Sequence, residues 1–308
     1  MVGPSSRNES RPWPVTAGTG APASASAVEE RWIKSRAKLL SHRGRGFGYA
    51  EATPEAVRQA LRSGIGYTEF DTRVSRDGMI HVRHGSRVVT SRGIPNMKTF
   101  SNAALETIGV ARLADLLKVA AETIGPSQHI CIDIKDFGHE REHINLVEQF
   151  SLGSQTIFVS WIPQSLAAIH AIAPAYPLIL SYLNLLCLPF GATLIESILA
   201  DRELRVFDYI VLGSRAAERP LLHTTGFQHA LVSRSLPVSM IKILRDSNGG
   251  ICIPTWCVCD ELDAWCARQS LRQWVFTANN VKTYERLRKR PEIEIIFSDD
   301  PLRVVRPD

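Results

Sequence analysis

Apolar segments with the length of buried strands alternate with segments of helical periodicity along this sequence, and the alternation predicts a parallel α/β fold. About eight or nine strand candidates follow residue 37, which is close to the number that a (β/α)₈ (TIM) barrel needs. Charged and histidine side chains stand at the ends of several candidates, where barrel enzymes collect their catalytic groups. These residues are His42, Glu69, Asp71, Asp133 and Lys135.

The strand candidates are short apolar runs that end in polar or glycine-containing segments. Residues 129–135 are the clearest case, because a near-continuous apolar run with charges at its end is typical of a buried parallel strand. In chain order, the candidates are 38–41, 67–74, 129–135, 156–160, 177–181, 207–213, 250–254, 273–277 and 293–298. Because a barrel uses eight strands, one of these elements stays ambiguous.

Helical segments are predicted between most of the strand candidates. The clearest start is at Thr53, which is a favourable N-cap and is followed by Pro54 at the first helical position. Gly64 is expected to end this helix. Further helices are predicted between 160 and 177 and at 29–38, 111–124, 139–150, 192–200, 260–270 and 281–290.

The composition indicates a globular protein with enough apolar material for a full core. Of the 308 residues, 44% are hydrophobic and 22% are charged, which suits one large domain or two smaller ones. Residues 1–28 are rich in Ser, Pro, Gly and Ala and are predicted to be a disordered leader to a single domain at 29–308. The sequence contains no run of about 20 apolar residues, so no transmembrane helix is predicted. The net charge of +5 suits a small anionic substrate but is too dilute to indicate nucleic acid.

The cysteines favour a reducing compartment. No secretory signal is recognised, so we expect a cytoplasmic location without disulfides. Four cysteines could in principle bind zinc, but their spacing lacks a Cys-x-x-Cys knuckle, and buried small hydrophobes are the favoured interpretation. These four are Cys252, Cys257, Cys259 and Cys266.

Several other polar residues favour structural roles over chemical ones. His139 and His143 share a helix face beside two glutamates, which favours a solvated charged face over a zinc site. His81 is expected to point away from His84 and to serve packing or the surface. Asp136 is placed at the rim of the barrel. Trp161 ends a strand, where it either stacks on a substrate group or packs in the core.

Glu69 and Asp71 form the most informative pair. Side chains two residues apart on a strand point to the same side, so both carboxylates converge on one spot. Their mutual repulsion needs relief from a cation, a shared proton or solvent. Hard oxygen ligands of this kind suit magnesium, calcium or manganese. A solvated outer strand is the alternative for an isolated Glu-x-Asp pattern.

The order of several short motifs resembles the signature of the glycerophosphodiester phosphodiesterase family, within the phosphatidylinositol-phosphodiesterase-like barrels. The first part of the signature runs through His42-Arg43-Gly44, Glu51-Ala-Thr53, Glu69-x-Asp71, Asp77-Gly78 and His84. The second part comprises Ile132-Asp-Ile-Lys135, Val275-Phe-Thr-Ala-Asn279 and Phe297-Ser-Asp-Asp-Pro301. Single motifs are weak, but the whole set in the family's order is specific, and the resemblance spans about 39–301.

The resemblance implies a (β/α)₈ barrel and a residue-by-residue site. Glu69, Asp71 and Asp133 would hold one divalent cation, usually Mg²⁺ or Ca²⁺. His42 and His84 would be the general acid and base of a phosphodiester hydrolase. Arg43 and Lys135 would hold the phosphate oxygens, with Lys135 counted among the catalytic groups.

Departures from the family pattern point to an unusual substrate. Ala50 and Ala52 replace Pro and Asn of the Pro-Glu-Asn-Thr stretch, and Gly85 replaces the Asp after the second histidine. Asp133 stands where Glu is usual, and Phe276 replaces Trp. Two alternatives to hydrolysis therefore stay open. One is a phosphodiester-transfer or -forming enzyme with a sugar alcohol acceptor, similar to agrocinopine synthase, and the other is a non-catalytic metal-binding barrel.

Overall fold

The computed structural model of the protein describes residues 38–91, 93–184, 209–212, 229–233 and 235–305. The predicted leader and the predicted helices at 29–38 and 192–200 lie outside these residues, apart from Lys38. Within them, no helix is both long and apolar enough to cross a membrane.

Eight parallel strands close into a ring, which confirms the predicted (β/α)₈ barrel. The ring runs in the spatial order β1, β2, β4, β5, β6, β10, β11, β12, and pairing of β12 with β1 closes it. In chain order, the strands are β1 (Leu39–Ser41), β2 (Tyr67–Val74), β3 (Ile80–Val82), β4 (His129–Ile134), β5 (Thr156–Ser160), β6 (Leu178–Ser181), β7 (Leu183–Asn184), β8 (Tyr209–Leu212), β9 (His229–Ser233), β10 (Gly250–Pro254), β11 (Arg272–Phe276) and β12 (Ile293–Ser298).

The remaining described strands lie outside the ring. β3 extends the sheet by antiparallel pairing with β2, after a turn in which Gly78 has φ +83°. β7, β9 and β8 form a separate parallel sheet. The strand candidate at 207–213 corresponds to β8, which belongs to this second sheet, so it is the candidate that does not join the ring.

The predicted helices that fall on described residues agree with the structure to within about two residues wherever their bounds were predicted, whereas the helices at Asn102–Thr107, Val238–Asp246 and Pro301–Val304 were not predicted. Thr53 caps the first of them, because its Oγ1 accepts a hydrogen bond from the Ala56 amide at 3.3 Å. In chain order, the helices of the described residues are α1 (Pro54–Arg62), α2 (Asn102–Thr107), α3 (Leu113–Thr123), α4 (Glu140–Gln149), α5 (Pro163–Ile172), α6 (Val238–Asp246), α7 (Asp260–Gln269), α8 (Val281–Arg288) and α9 (Pro301–Val304).

Strand alternation divides the apolar core into two layers. Phe70 and Ile132 pack with the buried faces of the surrounding helices, in the cluster that contains Leu117. Their strand neighbours point to the other side, into the ring. There, Cys131 packs with Trp274 and other strand residues in a second buried cluster. Glu69, Asp71 and Asp133 share this inner face of the ring.

The cysteines depart from the prediction at one position. Cys131, Cys252, Cys257 and Cys266 are buried free thiols, as expected of small hydrophobes. Cys259 takes part in a disulfide bond, so the expectation of no disulfides is wrong there. A disulfide depends on which thiols the tertiary fold brings together, and sequence spacing does not reveal that. No cysteine group among the described residues has the geometry of a metal site.

Candidate active site

Three carboxylates meet on the inner face of the barrel. β2 and β4 pair in parallel with Glu69 beside Cys131 and Asp71 beside Asp133. Because side chains alternate along each strand, this register places all three acids on one side. One oxygen from each lies within 4.8 Å of the others, and all three side chains are buried. The predicted convergence of Glu69 and Asp71 is therefore present, with Asp133 completing the acidic cluster.

Two cations bind the acidic cluster directly. Lys135 Nζ lies 2.7 Å from Asp133 Oδ2 and 2.9 Å from Asp71 Oδ1. Arg43 Nε lies 3.1 Å from Asp71 Oδ2, while the Arg43 amide donates a 2.9 Å hydrogen bond to Glu69 Oε2. Arg43 adopts a left-handed conformation, with φ +57°, that turns the chain sharply after β1. Both predicted phosphate-binding residues thus lie against the carboxylates.

The charges of the cluster do not balance. Burial and the neighbouring carboxylates raise the pKa of Glu69 well above its usual value. Burial also raises the pKa of Asp133, with Lys135 opposing the change. For Asp71, burial acts to raise the pKa, but Lys135 and other nearby cationic groups outweigh it and the pKa is lowered. Three acids against two cations leave an excess of negative charge in a buried place.

The cluster has the chemistry of a divalent-cation site. Glu69 Oε1 and Asp133 Oδ1 are buried and have no hydrogen-bond partner among the described residues. Buried carboxylate oxygens without a partner are costly unless a cation satisfies them. Oxygen donors of this type are those that Mg²⁺ and Ca²⁺ prefer. The residues that are present therefore fit such an ion.

Two histidines flank the acidic cluster. His42 follows β1 directly, and its Nε2 lies 3.9 Å from Glu69 Oε2. His84 lies beyond β3 and is half-buried. Burial lowers the pKa of His84 well below its usual value, with Asp71 acting in the opposite direction. Both imidazoles line the same cleft as Glu69.

Asp299 orients His42, and this role was not predicted from the sequence. His42 Nδ1 lies 2.8 Å from Asp299 Oδ1, which also accepts a hydrogen bond from Arg45 NH1 at 2.9 Å. Asn279 Nδ2 donates to Asp299 Oδ2 at 2.7 Å. Burial acts to raise the pKa of Asp299, but the hydrogen bond and charge of His42 outweigh it and the pKa is lowered. The available signal was its place at the carboxyl end of the last barrel strand, within the Phe297-Ser-Asp-Asp-Pro301 motif.

A buried ion pair holds the chain at His84. Arg73 is completely buried; its Nε donates to the His84 carbonyl at 2.9 Å and its NH1 to Asp136 Oδ1 at 3.0 Å. Asp136 Oδ2 also accepts from the Val74 amide at 2.9 Å. The prediction that Asp136 lies at the rim is wrong, because pairing with Arg73 carries it into the interior. His81 is buried beside Val110, as the packing interpretation expects.

The wall of the cleft is aromatic. Trp161 is buried and makes an edge contact with Phe276, with ring centroids 5.8 Å apart. Phe297 lies 6.4 Å from Phe276 and 5.9 Å from the His42 ring. Trp161 therefore packs in the core and lines the cleft together with Lys135. The cleft combines an acidic floor, two imidazoles and an aromatic wall, which suits a phosphorylated substrate with an apolar or ring-shaped part.

Comparisons with known proteins agree with this arrangement. The sequence model of the Glycerophosphoryl diester phosphodiesterase family matches residues 42–183, which include the acidic cluster and both histidines. A search of curated proteins found no significant match.

Solved structures of the same fold include several phosphodiesterases. A glycerophosphodiester phosphodiesterase from Parabacteroides distasonis has 15% identity and a TM-score of 0.60, over 86% of this chain and 93% of that one. An Oleispira antarctica phosphodiesterase in complex with its product sn-glycerol-3-phosphate has 15% identity and a TM-score of 0.59, over 87% and 94%. One from Agrobacterium tumefaciens has 16% identity and a TM-score of 0.56, over 86% and 96%.

At these identities, the solved structures show only that the fold is the same barrel. The relationship to the family rests on the match of the family's sequence model. The match covers the part of the chain that carries the cluster and both imidazoles. The resemblance that the motifs indicated is therefore confirmed for this segment: residues 42–183 match the glycerophosphoryl diester phosphodiesterase family.

Proposed function

We propose that this protein is a metal-dependent phosphodiesterase that cleaves a glycerol- or sugar-type phosphodiester. The observation that carries the proposal is that His42 and His84 share one cleft with a buried carboxylate cluster. A phosphodiester is anionic and repels nucleophiles, so its cleavage needs positive charge at the phosphate and proton transfer at two oxygens. The cleft contains groups for both tasks.

The proposed metal ligands are Glu69, Asp71 and Asp133. An Mg²⁺ or Ca²⁺ ion held there would neutralise charge that develops on a phosphate oxygen. The two orphaned oxygens of Glu69 and Asp133 support this assignment. Mg²⁺ demands a more regular octahedral set than Ca²⁺, so a measured preference would report how rigid the cluster is.

The proposed acid and base are the two imidazoles. An oxygen of water, or of a hydroxyl on the substrate itself, attacks phosphorus and loses its proton to one imidazole. The new P–O bond forms as the bond to the departing alcohol breaks, and the other imidazole gives its proton to that oxygen. Each turnover moves one proton onto one histidine and one off the other, and exchange with solvent restores both. Asp299 keeps His42 in place for this transfer.

The proposed substrate-binding residues are Arg43, Lys135 and Trp161. Arg43 offers a planar fork of donors to non-bridging oxygens, and Lys135 offers a point charge. Both lie within reach of the cluster, because each already contacts Asp71. Trp161 lines the cleft, where its indole would pack against a sugar or another ring of the substrate.

A phosphorus NMR assay tests the proposal directly. The full chain is incubated with Mg²⁺ or Ca²⁺ and a panel of glycerophosphodiesters and sugar phosphates, and we expect a free phosphomonoester as product. A new diester or a cyclic product would favour the transfer or synthesis reaction of the agrocinopine synthase type. Absence of turnover in a protein that still binds the metal would favour a non-catalytic barrel.

Two variants test the residue assignment in the same assay. We expect Glu69→Ala and His84→Ala to lose all activity, whereas His170→Ala, on α5 away from the cleft, keeps it. Full activity in either of the first two variants would refute the site.

The proposed catalytic domain is 29–308, preceded by a leader at 1–28. A chain that begins at residue 29 is expected to keep its kcat/KM within about twofold, since no leader residue is assigned to the site. A loss of tenfold or more would contradict this division.

A cytoplasmic location is proposed from the sequence, and the disulfide of Cys259 counts against it. Thiols stay reduced in the cytosol of most organisms. Alkylation of the native protein without reductant, followed by mass spectrometry, decides the point: a labelled Cys259 supports the location, and a protected one contradicts it.

A further inference from the structure

A second cavity is also lined by His84. Its volume is about 230 Å³, whereas the cleft at the acidic cluster has about 30 Å³. Its lining includes Arg43, Arg83, Glu51 and the small residues Ala52 and Gly85, along with His84. The cavity is therefore much roomier than the cleft, and His84 forms part of the wall of both.

The polar groups of the cavity are held in place by the protein. Arg83 donates from Nε and NH2 to the Arg87 carbonyl, at 3.2 and 2.9 Å. Glu51 Oε2 lies 3.7 Å from Arg43 NH1 and also pairs with Arg45. The lining therefore contains guanidinium donors and a carboxylate acceptor whose positions are fixed by these contacts.

This mixture of groups selects among alcohols. A hydroxyl both donates and accepts hydrogen bonds, so a polyol can use Glu51 and Arg83 together. A quaternary ammonium group needs an aromatic cage, and the lining residues that the structure describes include no Phe, Tyr or Trp. A second phosphate would meet the negative charge of Glu51. The chemistry thus favours a neutral, polyhydroxylated group.

The position of His84 connects the cavity to the reaction. Because His84 lines both spaces, the alcohol group of a phosphodiester whose ester oxygen faces His84 would lie next to the cavity. We propose that this cavity is the subsite for a polyhydroxylated alcohol of the substrate, a polyol or a sugar. The inference rests on the proposed function, and it adds to it the class of alcohol and the residues that select it, Arg83 and Glu51.

Kinetics on two diesters test the selection. We expect the wild type, with Mg²⁺, to prefer glycerophosphoinositol to glycerophosphocholine, whose alcohol carries a quaternary ammonium group. Arg83→Gln and Glu51→Gln should each lower kcat/KM for the inositol diester about tenfold, since a hydrogen bond to a charged group is lost. Arg83→Gln should stay within about twofold of the wild type on the choline diester. Glu51→Gln also alters the contact with Arg43, so its loss should be larger on the inositol diester than on the choline diester. Arg62→Gln, an exposed arginine on α1, is the matched control and should change neither rate.

A selective loss is the informative result, because a purely structural role of Arg83 at Arg87 would affect both diesters alike. Equal losses on the two substrates, or no loss on either, would overturn the subsite. Absence of turnover on every diester would refute the proposed function instead.

A binding measurement separates the two failures. Ligand-observed NMR titration with myo-inositol, which has no phosphate and does not need the acidic cluster, follows the cavity alone. We expect Arg83→Gln and Glu51→Gln to weaken myo-inositol binding at least threefold relative to the wild type and to Arg62→Gln. Equal binding by all four proteins, or none by the wild type, would overturn the subsite whatever the activity.

Discussion

Replacing Asp299 by Asn measures how much the support of His42 contributes to turnover. The variant keeps the size of the side chain but removes the charge that faces His42 Nδ1 at 2.8 Å and Arg45 NH1 at 2.9 Å. Hydrogen bonds to charged groups contribute about 1.5–3 kcal/mol. Since about 1.4 kcal/mol corresponds to a factor of ten, kcat should fall roughly 10- to 100-fold.

The assay is phosphomonoester release at saturating Mg²⁺, together with a calorimetric measurement of Mg²⁺ affinity. Asp299 does not belong to the acidic cluster, so the Mg²⁺ Kd should change less than about twofold. Asp300→Asn is the matched control, because Asp300 caps α9 through the Arg303 amide and asparagine caps equally well. Full activity of Asp299→Asn, or an equal loss in both variants, would refute the reasoning.

Three further predictions concern charge and burial. Glu69→Gln should raise the thermal midpoint in EDTA, because it removes a buried charge, and should abolish the gain in midpoint on adding Mg²⁺; an undiminished gain would contradict the metal site. Asp136→Asn leaves the buried Arg73 charge without its carboxylate and should cost about 3–5 kcal/mol in urea unfolding; less than 1 kcal/mol would contradict the role of the pair. Burial lowers the pKa of His143 to about 4, so the folded state binds fewer protons than the unfolded state between about pH 6.5 and 4, and stability falls by up to about 3 kcal/mol as the pH drops through that window. His143→Gln should show a correspondingly shallower loss in urea titrations; identical pH dependence in variant and wild type would refute it.

Local periodicity was enough to predict the barrel strands and most of the helices, but not α2, α6 and α9. Parallel strands are buried on both faces, so their sequences are near-continuous apolar runs. The surrounding helices are buried on one face only, so their apolar residues recur with helical spacing. The same logic placed Glu69 and Asp71 on one side of β2, since alternation along a strand does not depend on the rest of the fold. It did not assign 207–213, because a strand of the separate sheet has the same apolar pattern as a barrel strand.

The prediction from helical spacing was also wrong for one face of α4. His143 lies on α4 beside glutamates, which indicated a solvated surface, yet it is buried and bonds to Thr72 Oγ1 at 2.9 Å. Tertiary packing of α4 on the outer face of β2 decides this burial. The charge pattern of α4 alone does not predict that His143 is buried.

The sequence by itself determined the barrel, the pairing of Glu69 with Asp71 and, through ordered motifs, the family. These properties depend on local spacing or on the order of short segments. Only the tertiary structure decided which groups face each other across the ring. It placed Asp299 against His42, 257 residues away, and it brought Arg43 and Lys135 onto Asp71. For Asp299 and His42 the physical reason is the pairing of β12 with β1, which brings the last and the first strands of the ring together at the site.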